Sequence, residues 1–184
     1  MEKTKGVIEG LRIIMKVLGV ERAIIGVEAN KQDAFEAMRD ACWADDGISA
    51  ELLKVKYPQG AEKQLIEALI GREVPPGKLP LDVGVVVQNV GTAYAVYEAV
   101  TQSKPLIERA VTVTGDGISK PANLIVPIGT PISDLLQRQG VNPKTKKLIL
   151  GGPMMGIAVP TPEFPGTKGT RGILALMKIP NYMP

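Results

Sequence analysis

Apolar residues at Val7, Ile8, Leu11, Ile14, Met15 and Leu18 recur at steps of three and four, the spacing that lines one face of a helix, and Gly19 supplies a stop. Residues 22–27, with Ala23, Ile24, Ile25 and Val27 together, read as a short buried strand. Asn30 is placed to cap a second helix, whose apolar stripe runs through Ala34, Phe35, Met38, Ala41 and Cys42. A lone cysteine on such a stripe reads as a small core residue. The pattern then predicts a strand over 48–55, a helix over 60–70 with Leu65, Ile66, Leu69 and Ile70 inward, a strand over 81–88 and a helix over 91–101. Strands alternating with helices at this spacing imply a largely parallel sheet covered on both faces. The run Val83, Val85, Val86, Val87 suits its central strand.

The grammar changes after Lys104-Pro105. Residues 108–114 and 123–126 read as short strands, separated by the turn signal Thr114-Gly115-Asp116-Gly117. Residues 131–139 read as a short helix with Thr130 as cap and Pro131 in the first position, and residues 147–150 as another strand. This ββαβ order describes a small α+β module of the β-grasp type. Proline, glycine and threonine dominate from Pro160 until 172–176, so the C-terminal end reads as extended and loosely held. The expected division is an α/β domain over 1–106, a β-grasp domain over 107–160 and an extended segment over 161–184.

Composition narrows the chemistry. With no histidine and one cysteine in 184 residues, the chain can build no Ser-His-Asp or Cys-His site, no zinc site of His/Cys type, no four-cysteine cluster and no internal disulfide. No metal site is expected. Acid–base work falls to Asp, Glu, Lys, Tyr or an imported cofactor, and a cofactor is the economical answer for any redox chemistry. The net charge of +3 is scattered except at Lys144, Lys146 and Lys147, and seven aromatics provide few stacking platforms, so nucleic acid is not an expected partner. The uncharged run over 83–97 is interrupted by Gln88, Asn89, Gly91 and Thr92 and is shorter than the roughly 20 apolar residues of a spanning helix. No secretory signal pattern opens the chain, which favours the cytoplasmic side.

Three segments could carry chemistry. Tyr57-Pro58-Gln59-Gly60-Ala61-Glu62 closes one predicted strand and opens a helix, where a glycine lets backbone N–H groups approach a planar or anionic ligand. Glu62 there would also interact favourably with the helix dipole, and Tyr57 could simply pack at a strand end. Gln88-Asn89-Val90-Gly91-Thr92 offers Asn89 and Thr92 beside a helix N-terminus, either for a phosphate or, for Asn89, as a cap. One crossover apart at the same sheet edge, the two segments could share a ligand. Gly151-Gly152-Pro153-Met154-Met155-Gly156 lacks the signature of a phosphate loop and reads as a tight turn buttressed by its methionines, and Gly115-Asp116-Gly117 reads as a turn, not a metal loop.

Taken together, Tyr57-Pro58-Gln59-Gly60-Ala61-Glu62-Lys63-Gln64-Leu65, Gly71-Arg72-Glu73-Val74-Pro75-Pro76-Gly77, Val86-Val87-Gln88-Asn89-Val90-Gly91-Thr92 and Gly151-Gly152-Pro153-Met154-Met155-Gly156 are a specific combination. The chain resembles the core of the RnfC family, the electron-entry component of the Rnf electron-transport complexes, from about residue 6 to 176, and is similar to the flavoprotein subunit of respiratory complex I. The resemblance implies a partial Rossmann-like, parallel-sheet flavin-binding domain followed by a soluble-ligand-binding β-grasp (SLBB, ubiquitin-like) domain. It implies FMN as cofactor, NADH as hydride donor and electrons passed on to iron-sulfur clusters. Tyr57, Gly60, Ala61 and Glu62 match the family loop at the flavin ring and nicotinamide side, and Asn89 and Thr92 the segment toward the ribityl phosphate. The family's upstream glycine-rich loop and downstream CxxCxxCxxxCP motifs, which hold 4Fe-4S clusters, do not occur in the 184 residues. The expectation is therefore a soluble central fragment with half a flavin site, no cluster and no NADH oxidation of its own. Its parent would work with the other Rnf subunits, peripherally on the cytoplasmic side of a membrane. A cobalamin-reductase-type flavoprotein of a bacterial microcompartment and a non-catalytic subunit-docking module are the alternatives.

Overall fold

A computed structural model describes residues 3–43 and 47–178, and the chain divides into two compact units, Met1–Pro105 and Leu106–Pro184. In the first, the amphipathic stretch forms α1 (Thr4–Leu18), closed by Gly19 in the left-handed conformation with its N–H bonded to the Met15 carbonyl. β1 (Ala23–Glu28), α2 (Gln32–Cys42), β2 (Ile48–Leu53), α3 (Glu62–Ile70), a single 3-10 turn (Pro80–Val83) and α4 (Val90–Gln102) follow. β1 and β2 pair in parallel from Ala23↔Ile48 to Glu28↔Leu53. Ile25, Val27 and Ile48 of this ribbon bury against Ile8 of α1 and Cys42 of α2, the core role read for that cysteine. On the opposite face Gly26 admits α3, because a β-carbon there would stand 3.2 Å from Leu65 Cδ1 and 2.8 Å from Leu53 Cδ1.

Glycine also sets the crossing of α1 and α4. A β-carbon at Gly10 would lie 1.8 Å from the Ala93 carbonyl oxygen, and one at Gly6 would lie 2.6 Å from the Tyr94 ring. The helices approach to backbone contact, and only residues without a side chain permit it.

The second unit is a five-stranded sheet in the order β4-β3-β7-β5-β6, formed by β3 (Glu108–Thr114), β4 (Ala122–Pro127), β5 (Lys147–Leu150), β6 (Ile157–Val159) and β7 (Gly172–Leu176). One helix, α5 (Ile132–Arg138), packs on it. Val111, Val113, Val126, Ile173 and Ala175 alternate inward to meet Ile132, Leu135 and Leu136, giving a β-grasp core. The 114–117 turn seats on β7, with the Gly117 N–H on the Ala175 carbonyl and Asp116 Oδ1 accepting from the Met177 N–H at 2.7 Å.

Several expectations change. Residues 81–88 form no strand. Asp82 accepts the Leu79 N–H at 2.8 Å and Gly84 turns left-handed at φ 72°, so local hydrogen bonds replace a ladder and the parallel sheet has two strands. Ile70 of α3 is exposed while Ile66 is buried. Asn30 lies in the turn closed by the Lys31 N–H on the Glu28 carbonyl, and Lys31 takes the cap position of α2. Thr130 does not cap α5, because its hydroxyl donates to the Pro127 carbonyl. The Ile132 and Ser133 N–H groups are satisfied instead by the carbonyls of Phe164 and Pro162.

The segment read as loosely held thus caps a helix, and its strand β7 lies between β3 and β5 with Ile173 1% and Ala175 0% exposed. Runs of Pro, Gly and Thr hid a strand whose two inward positions complete the core. Residues 179–184 of that segment lie outside the described residues. The methionines of the 151–156 turn buttress nothing, with Met154 68% and Met155 78% exposed. Gly156 N–H on the Gly152 carbonyl at 2.8 Å holds the turn.

Candidate functional site

Two loops carry the residues singled out in the sequence. Between β2 and α3, the Gln59 N–H bonds the Lys56 carbonyl at 2.9 Å and the Ala61 N–H bonds the Pro58 carbonyl at 2.8 Å, turning the chain directly into the helix. The first helical bond runs from the Leu65 N–H to the Ala61 carbonyl, so the N–H groups of Glu62, Lys63 and Gln64 stand ahead of the ladder at the positive end of α3. Gln59 folds inward to 4% exposure and anchors the loop, which leaves Tyr57, Gly60, Ala61 and Glu62 on the surface.

Gly60 is the informative position. Its φ is not positive, and a β-carbon built on it would meet no atom within 4 Å. Neither strain nor crowding within the chain calls for glycine there. What its missing side chain does is leave open space above the start of a helix, where a flat ligand could rest on backbone.

At the second loop, Asn89 is the cap of α4. Its Oδ1 accepts the Gly91 N–H at 3.0 Å, and its carbonyl accepts the N–H groups of Thr92 and Ala93. A β-carbon at Gly91 would sit 3.1 Å from Asn89 Oδ1, so glycine there makes room for the cap. Capping consumes the acceptor of Asn89 and fixes its amide. The two Nδ2 donors and the Thr92 hydroxyl have no partner among the described residues. A neutral donor set beside a positive helix end fits an anionic group such as a phosphate.

No hydrogen bond joins the two loops among the described residues. Without the expected third strand they share no sheet edge. The approach to Asn89 is tied instead to the far end of α3, where Arg72 Nη1 donates to the Val83 carbonyl at 2.8 Å. Ile70, the last residue of α3, lies about 12 Å along the helix axis from Glu62, at 1.5 Å per residue over eight steps. In the sequence Gln59 and Arg72 stand out only as members of longer segments and without a role, because a single polar residue in a loop gives no periodic signal. Among the described residues no group of three or more His, Cys, Asp or Glu could hold a metal, and no helix is long and apolar enough to cross a membrane.

The fold and the loops define a two-unit α/β protein, a parallel-strand, helix-flanked domain followed by a β-grasp module. The chain belongs to the Nuo51 FMN-binding domain family, which it matches over residues 1–98, and residues 110–158 match the SLBB domain. It is 48% identical over 97% of its length to the C component of the proton-translocating ferredoxin:NAD(+) oxidoreductase complex of Clostridium ljungdahlii. It is likewise 48% identical over 94% of its length to the C component of the Na(+)-translocating ferredoxin:NAD(+) oxidoreductase complex of Acetobacterium woodii. In Erwinia tasmaniensis the C component of the ion-translocating oxidoreductase complex is 44% identical over 92% of the chain. The chain spans 39%, 39% and 21% of the length of these relatives. Among solved structures, a chain of the NAD+-reducing [NiFe]-hydrogenase in its H2-reduced state superposes with a TM-score of 0.68 at 19% identity, covering 94% of this chain and 36% of that one, a likeness of fold.

Proposed function

We propose that this chain is the FMN-binding and SLBB segment of the electron-entry subunit of an Rnf-type complex, and that FMN rests on the loops at the starts of α3 and α4. The observation that carries the reading is the match of residues 1–98 to an FMN-binding domain family, a span that includes both loops. When bound, FMN would accept hydride from NADH and release electrons singly toward 4Fe-4S clusters held outside these 184 residues. The chain's own residues bind and orient. Gly60 and Ala61 offer an unobstructed backbone surface to the flavin ring, and Tyr57 and Glu62 border it on the nicotinamide side. Asn89 Nδ2 and the Thr92 hydroxyl hold the phosphate end, with the cap keeping the Asn89 amide in place. Other Rnf subunits would be the partners, and the chain would act peripherally on the cytoplasmic side of the membrane. Alone it would bind flavin weakly at most and would not oxidise NADH.

The test is an FMN titration of the 184-residue chain followed by flavin fluorescence, with Gly60→Val, Asn89→Ala and Asn89→Asp alongside. Asn89→Asp keeps a good helix cap but sets a carboxylate where the amide donors were, so it should abolish binding while leaving α4 intact by circular dichroism. Asn89→Ala should weaken FMN by about 1–3 kcal/mol, the cost of an unmade buried hydrogen bond in the complex. Retention of flavin by Asn89→Asp would remove the phosphate from this loop, and retention by Gly60→Val would remove the ring from the other.

A further inference from the structure

The two units differ in charge in a way the flavin reading does not use. Residues 106–184 hold nine Lys or Arg against four Asp or Glu, a net +5, whereas residues 1–105 hold thirteen against fifteen, a net −2. The basic residues of the second unit are largely uncompensated. Lys144 and Lys146 are exposed and carry no ion pair among the described residues.

Both flank a cleft. Between α5 and the β5–β6 ribbon the surface opens into a cavity of about 580 Å³ whose lining includes Leu136, Gln137, Thr145, Lys146, Val159 and Pro160. Val159 pairs with Leu148 and Ile157 with Leu150, and those leucines pack into the core under α5, so Val159 and Ile157 share the helix-side face. The helix does not cover that face as far as Ile157, which is 73% exposed. β6 is also the terminal strand of its sheet, with its outer edge unpaired among the described residues. Thr145 stands at the cleft wall with its Oγ1 buried beside Gly117, without a hydrogen-bond partner among the described residues.

We propose that this cleft docks an extended, acidic segment of a partner protein, with carboxylates on Lys144 and Lys146, apolar side chains against Val159 and Ile157, and its backbone running beside the free edge of β6. Charge complementarity selects an acidic occupant. The recessed apolar floor selects a chain segment over a bilayer, whose flat surface cannot enter it, and the lack of aromatic residues in the lining removes stacking for nucleic acid. An exposed apolar strand edge selects an extended conformation, which is how peptides add to sheets. The proposal is independent of the flavin site, and its test involves no flavin.

The experiment is fluorescence anisotropy of a short labelled peptide alternating glutamate with valine, titrated with the 184-residue chain, beside the same peptide with glutamine for glutamate. Saturable binding of the acidic peptide alone is expected, weakened about tenfold by the double variant Lys144→Glu/Lys146→Glu. Arg109→Glu/Lys168→Glu makes the same change in net charge at residues outside the cleft lining, Arg109 on β3 beside β4, and should leave binding unaltered. Circular dichroism of both variants checks that the sheet persists. Equal loss in the two double variants would reduce the effect to net charge and overturn the proposal. So would the absence of saturable binding, or a preference for vesicles of phosphatidylglycerol over the peptide that Lys144→Glu/Lys146→Glu removes.

Discussion

The two units of this chain solve the packing problem in opposite ways. Among its described residues, Met1–Pro105 places four α-helices with a parallel ribbon of two strands, and α1 and α4 meet closely at Gly6 and Gly10. Among the described residues, the ion pairs Arg12–Glu9, Lys31–Glu28, Arg39–Asp40 and Lys104–Glu98 (2.9 Å) are local in sequence. Among its described residues, Leu106–Pro184 uses one short α-helix and five strands assembled from distant parts of the sequence, around a core in which Val113 is 0% and Ile173 1% exposed. A unit built from helices packed on a two-stranded ribbon leaves loop ends such as 57–62 and 88–92 largely on its surface. A unit built on non-local strand pairing closes its core and presents a terminal strand edge and a cleft.

The strongest way to break this contrast is to remove the residues from 161 onward. Because β7 is hydrogen-bonded to both β3 and β5, their loss should abolish folded structure throughout 106–160, read as loss of the dispersed methyl resonances of the Val113 core. A truncated chain that kept those resonances would show that the β-grasp module ends near Pro160, as its composition suggests. Next in size is Gly10→Val. Forcing a side chain into a site where even a β-carbon would lie 1.8 Å from a backbone oxygen should cost about 3 kcal/mol or more. Amide hydrogen exchange would report it as lost protection in α1 and α4, and unchanged protection there would mean that the helices do not rely on glycine contact. The smallest effect belongs to the Asn89 cap, where Asn89→Ala should lower stability by about 1 kcal/mol and Asn89→Asp should restore it. Urea unfolding monitored by helical circular dichroism would measure both, and an Asp variant as unstable as the Ala variant would deny the side chain its capping role.

Much of the first unit was legible because its signals are local. The three-and-four spacing from Val7 to Leu18 and the stop at Gly19 each require only residues within a turn or two, and α1 forms where they say. The candidate loops were legible for the same reason, since a glycine before a helix and an asparagine at its cap are short-range features. The strand expected over 81–88 failed because a valine run says only that a segment could pair. Asp82 and Gly84 offered the backbone a nearer partner, and among the described residues no strand pairs with this segment.

The sequence by itself therefore determined the succession of helices and most strands, the family, and the chemistry excluded by the absence of histidine. Tertiary structure alone decided that β7 is central, that the carbonyls of Pro162 and Phe164 cap α5, that Gly6 and Gly10 are contact points, and that Lys146 borders a cleft. Each of these depends on residues far apart in the chain, and a pattern of period two or 3.6 carries no information about which distant segment will meet it.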